Sequence, residues 1–172
     1  VNIMISQIKK IFFFILFSSF LPTSLLARNL VIKSLGHSSF LINSEDKSVL
    51  INPFKATGCA SNLKEPNEVN VDFILASSRL QDEGYNPNDQ LMFVEPGIYQ
   101  FKDILLNGIS VPHDRVEGRR FGMATVWSWE QNDLKIVHMG GAAGDIDINS
   151  QIILSRPDIL FISIGGGIKS YD

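Results

Sequence analysis

The sequence predicts an α/β (α+β) fold in which two sheets pack face to face with helices outside. Three observations carry this. Short β-branched and aromatic runs recur along residues 29–164 and are punctuated by Gly, Pro, Asn and Ser. Only one segment, Ile148–Ser155, reads as a helix of more than one turn. Phe73–Ala76 is apolar at every position, as in a strand covered on both faces.

The elements follow in order. Asn29–Leu35 alternates weakly, Ser39–Asn43 is short and apolar, and Ser48–Asn52 is β-branched. The polar Ser44–Lys47 turn makes a hairpin of the last two. Thr57–Asn70, rich in Gly, Pro, Asn and Ser, is a loop, and Phe73–Ala76 follows it as a buried strand. Gln81–Gln90 carries Gly84 and Pro87 and reads as a loop with at most one helical turn. Leu91–Val94, Ile98–Phe101 and Ile104–Val111 are further strands, and Met123–Glu130 pairs with Leu134–Met139 across Gln131–Asp133. Ile148–Ser155 is a helix with Asn149 or Ser150 as its cap. Ile159–Ile164 is the last strand, and Gly165–Gly167 ends it. The succession of strands leads us to expect mainly antiparallel pairing.

Residues 1–27 stand apart. Lys9 and Lys10 precede the apolar Ile11–Leu21, and Leu25-Leu26-Ala27 supplies a small residue at a cleavage point. This is the pattern of a signal peptide, with Met4 as a candidate start, and it implies an exported protein, periplasmic or secreted. The apolar run is shorter than the ~20 residues that span a bilayer, so no membrane association is expected after cleavage. The remaining domain is residues 28–172.

Apolar residues make up 45% of the chain and charged residues 19%, which excludes wholesale disorder. A formal net charge of −3 gives no basis for nucleic-acid binding. The single Cys59 cannot form an internal disulfide, and it reads as an idle thiol.

Four segments in order, Leu35–Phe54, Val71–Glu83, Val111–Gly141 and Arg156–Gly167, together resemble the metallo-β-lactamase fold superfamily, most closely its ascorbate-6-phosphate lactonase-like, Zn-dependent hydrolases. LGHSSFLINSEDKSVLINPF, Leu35–Phe54, resembles the opening Gly-His-x-(Ser/Thr)-Phe hairpin and Ile-Asp-Pro turn. VDFILASSRLQDE, Val71–Glu83, is similar to the strand that delivers the His-x-His-x-Asp-His motif. Val111–Gly141 resembles the stretch from a His-Asp pair to His-x-Gly-Asp, and Arg156–Gly167 the Asp-(Val/Ile)-Leu strand with its glycine turn. The resemblance implies a four-layer αββα metallo-β-lactamase-type sandwich, incomplete at the C-terminus. It also implies a metal cleft between the sheets.

Such a cleft holds one or two zinc ions on imidazoles and carboxylates and activates a water for hydrolysis. Carried over, the three histidines of the first motif fall on Ser78, Leu80 and Glu83, and its aspartate on Asp82. The next histidine falls on His113 and the bridging aspartate on Gly141, and the chain ends before the final histidine. His37 and His138 match positions that are not usual ligands. Asp82, Glu83 and His113 are therefore the remnant metal candidates, with Asp114 beside them, suited at most to weak divalent-cation binding through oxygens.

Each of these residues also has a purely structural reading. His113 can be a hydrogen-bonded relic, Asp82 a turn cap, Glu83 a solvated loop acid and His37 a structural hydrogen-bonder. Arg119-Arg120 suits a substrate phosphate or a solvated pair. Trp127 and Trp129 share one strand face and suit a core. Gly140, Gly141 and Gly144 lack the spacing of a nucleotide loop. The expectation is a pseudo-hydrolase that keeps the fold, has lost the zinc site and binds a small-molecule or protein ligand in the old cleft. The alternatives are an active hydrolase of phosphoesters or lactones with a reduced site, and a truncated product.

Overall fold

The computed structural model describes residues 29–171 except 67, 68, 166 and 169. The signal-peptide segment and the Cys59 side chain lie outside this description.

Two five-stranded sheets form the molecule. The first runs β1 (Val31–Gly36), β2 (Ser39–Asn43), β3 (Ser48–Ile51), β4 (Phe73–Leu75) and β5 (Met92–Phe93), in that spatial order. The second contains β6 (Gly97–Phe101), β7 (Ile104–Pro112), β8 (Met123–Gln131), β9 (Leu134–His138) and β10 (Ile159–Phe161), also ordered by sequence. Helix α1 (Ile148–Leu154) joins the last two strands. The order of elements agrees with the sequence reading, and most strand boundaries agree within one or two residues.

One expectation holds in the main and one is corrected. Pairing is mainly antiparallel, with β3–β4, β4–β5 and β9–β10 parallel. Each parallel pair is joined by a long loop or by α1, and a parallel return needs such a crossover. The cap of α1 is Asp147, which accepts from the backbone N–H groups of Asn149 and Ser150. Asn149 and Ser150 are the donors there, two and three residues too late to cap.

The core lies between the sheets. Ile42, Val49, Ile51, Phe73 and Leu75 from the first sheet meet Ile104, Leu106, Trp127, Trp129 and Ile136 from the second. Alternation sends Val111, Ala124, Val126 and Val137 to the outer face of the second sheet, where Leu154 of α1 covers them. Trp127 and Trp129 are thus core residues. The Trp127 indole N–H donates to the Ala76 carbonyl at 2.9 Å, tying the loop after β4 to the opposite sheet. The architecture is that of a metallo-β-lactamase-type sandwich with α1 as the helix of the outer layer.

Candidate functional site

One end of the sandwich gathers the loops that follow β1, β3, β4, β7, β9 and β10. They enclose a cavity of about 170 Å³ lined by His37, Ser38, Asn52, Asp82, Glu83, His113, Gly140, Gly141 and Ser163. All three remnant metal candidates therefore line one cavity.

The floor of this cavity is a carboxylate–imidazole pair. His113, just past β7, places Nε2 2.7 Å from Oε1 of Glu83. Ser78 Oγ donates to the other carboxylate oxygen of Glu83 at 3.1 Å. Both partners are buried, His113 at 1% exposure and Glu83 at 8%. The solvated-acid reading of Glu83 is thus corrected. The tight turn that ends in hydrogen bonds from Glu83 N and Gly84 N to Leu80 O folds its side chain inward. Nothing in the pattern of this polar loop marks Glu83 as buried.

Asp114, one residue further, points away from the cavity chemistry. Its two oxygens accept from the N–H groups of Val116, Gly118, Arg120 and Phe121, each at 2.9 Å. Burial pushes its carboxyl up, and the four backbone donors outweigh that and hold it below the ordinary aspartate value. Asp114 is the organiser of the 115–122 loop. Arg119 pairs with Glu117 at 2.9 Å, and Arg120 lies over the Phe121 ring.

The rim is strained. His37 and Ser38 have φ of 49° and 60°, the left-handed pair that a two-residue hairpin turn requires. Asn52 adopts φ 45° immediately before Pro53. Three non-glycine residues in this costly region line the same cavity, as strain clustered at a functional site would. His37 sits edge-on to Phe54, with Nε2 3.9 Å from Oδ2 of Asp82. Asn52 Oδ1 accepts from both N–H and Oγ of Ser77, at 2.8 and 2.9 Å. Its buried Nδ2 has no hydrogen-bond partner among the described residues. Asn52, Ser77 and Ser163 escaped the sequence reading, although the Ile51-Asn52-Pro53 turn was a usable signal.

His138 braces the back wall. Its Nε2–H donates to Ser38 O at 3.1 Å, and Gly140 N–H donates to Nδ1 at 3.1 Å. The Gly140 contact needs the neutral ring, because a protonated Nδ1 cannot accept. Burial pushes the imidazole down to about 4, only partly offset by the Ser38 carbonyl.

These residues do not fit a dinuclear zinc centre. Leu80 offers hydrocarbon and is 42% exposed. Ser78 is engaged by Glu83, and Glu83 by Ser78 and His113. Gly141 has no donor. Among the described residues no three His, Cys, Asp or Glu side chains form a group able to hold a metal ion.

The family profile described as "Beta-lactamase superfamily domain" matches residues 31–172. No curated protein sequence matches the chain. Among solved structures, the chain is similar to a Thermotoga maritima protein assigned to the Zn-dependent hydrolases of the metallo-beta-lactamase superfamily. That match has TM-score 0.63 and 19% identity, over 83% of this chain and 66% of the other. An isothiocyanate hydrolase from Delia radicum gut bacteria matches with TM-score 0.57 and 15% identity, over 81% and 74%. The metallo hydrolase Igni18 from the archaeon Ignicoccus hospitalis matches with TM-score 0.53 and 15% identity, over 81% and 72%. The chain spans about two thirds of the Thermotoga protein's length. The profile match over nearly all the described residues, together with two sheets packed as in these hydrolases, shows that the chain belongs to the β-lactamase superfamily and has the metallo-β-lactamase fold.

Proposed function

We propose that this hydrolase-like protein is a pseudo-hydrolase, a metallo-β-lactamase-fold protein that binds a ligand in the old cleft without the family's zinc chemistry. The observation that carries the reading is the donor set. Ser78, Leu80, Glu83 and Gly141 stand where the resemblance implies three imidazoles and a carboxylate, and the imidazole that remains, His113, is bonded to Glu83. The cavity and its strained rim persist, which suits retained binding. The N-terminal pattern of residues 1–27 supports export to the periplasm or medium. The four-segment resemblance supports the ascorbate-6-phosphate lactonase-like branch.

Elemental analysis of freshly purified protein tests this, paired with phosphodiester, lactone and β-lactam hydrolysis assays. The expected result is substoichiometric zinc and no turnover. One or two equivalents of zinc would overturn the reading. A second reading rests on Asp82, Glu83 and His113 sharing one cavity. Turnover stimulated by manganese, magnesium or calcium, and lost in His113→Ala, would establish that reduced site instead.

A further inference from the structure

Gly141 is glycine for want of space, not for backbone freedom. It is absent from the positive-φ residues, whereas its neighbour Gly140 has φ 56°. A Cβ added at 141 would stand 2.1 Å from Nε2 of His113 and 2.3 Å from Oε1 of Glu83. Both distances lie well inside van der Waals contact, and the two atoms are the ones joined by the 2.7 Å bond. Any side chain at 141 must therefore break or displace the His113–Glu83 pair.

The backbones of both partners are fixed, so either side chain could yield only into the space the other occupies. Glu83 is set by a turn so close that a Cβ on Gly84 would meet Ser78 O at 2.1 Å. His113 N–H donates to Gly122 O at 3.0 Å, and the following Asp114 is fastened by its four backbone donors. Glu83 belongs to a loop of the first sheet and His113 to a strand end of the second. Their bond links the two sheets at the floor of the cleft.

We propose that Glu83 and Gly141 are one interdependent replacement: Glu83 is the positioning residue for His113, and Gly141 is the gap that admits the pair. The floor of the cleft is a direct carboxylate–imidazole link between the sheets, and a side chain can return to 141 only if residue 83 changes with it. This goes beyond the proposed loss of hydrolysis, since it concerns how residues 83, 113 and 141 constrain each other. Zinc in the purified protein would end the functional reading, whereas additive substitutions would end this one.

A double-mutant cycle on the full chain is the test: wild type, Gly141→Ala, Glu83→Ala and the double variant, compared by urea midpoint at pH 7. The midpoint is expected to fall in Gly141→Ala. In the Glu83→Ala background the His113 ring can turn into the space the carboxylate leaves, so the same substitution is expected to shift it less than half as far. Equal shifts in both backgrounds overturn the proposal. If Gly141→Ala does not fold, recovery of folded double variant supports it, and failure of both overturns it. Nitrogen-resolved NMR of the His113 ring in Glu83→Ala gives a readout that loss of stability alone would not move. A changed Nε2 environment is expected, and an unchanged one overturns the assignment.

Discussion

At the scale of single residues, side chains that fill space and side chains that are missing set the geometry together. Gly108 faces Trp127 across β7 and β8, and a Cβ there would stand 2.8 Å from Cζ3 of the indole. The indole is fully buried and donates to Ala76 O, so it cannot swing aside without losing a hydrogen bond. Gly108→Ala is expected to cost about 1–3 kcal/mol by overpacking, read as a lower urea midpoint. An unchanged midpoint would mean that the Trp127 pocket is softer than this contact implies. The burial of Trp127 and Trp129 was legible from their alternation on one strand. The requirement for glycine at 108 was not, because it depends on which residue the neighbouring strand places opposite.

At the scale of elements, short pieces depend on their ends. Helix α1 has seven residues and buries only Leu154, with Ile148, Ile152 and Ile153 exposed. A helix this short is marginal on its own, so capping carries much of the burden. Asp147 accepts from Asn149 N, Ser150 N and the Ser150 hydroxyl, and the hydroxyl hydrogen bond does most to hold its carboxyl below the ordinary value. Asp147→Ala is expected to speed amide exchange at Asn149 and Ser150. Unchanged protection there would show that packing of Leu154 suffices without the cap. The helix itself was readable from sequence. Its cap was misplaced by two or three residues because Asp147, Asn149 and Ser150 are all good cap types, and only backbone conformation distinguishes them.

At the scale of the whole molecule, His138 couples the sheets. It lies in the second sheet, donates to the β1–β2 turn of the first, and packs against Phe40 and Phe161. Its folded value of about 4 lies below the 6.5 of a free imidazole. On unfolding below pH 6.5 it gains a proton, so stability from this group is full above pH 6.5. It is lost as pH falls toward 4 and changes no further below that. The difference corresponds to about 3 kcal/mol. Urea denaturation is expected to show this loss between pH 6.5 and 4. It precedes the acid limb below about 3.8, where Asp72 and Asp114, both held below the ordinary value, lose their contribution. A flat profile from pH 6.5 to 4.5 would show that the ring is not held neutral by its surroundings.

The sequence by itself determined the strand succession and the sandwich class, and the resemblance implied which zinc-ligand positions carry other residues. These depend on residue types, alternation and spacing along the chain. The parallel pairings, the burial of Glu83 and the withdrawal of Asp114 into its own loop were decided by the tertiary structure alone. So was the exclusion of any side chain at 141. The physical reason is that each depends on atoms brought together across long sequence separations. Glu83 meets His113 at a distance of thirty residues, and Gly141 closes over both. No local pattern records that these three occupy one volume, so a loop that reads as polar and solvated in one dimension becomes the buried floor of a cleft in three.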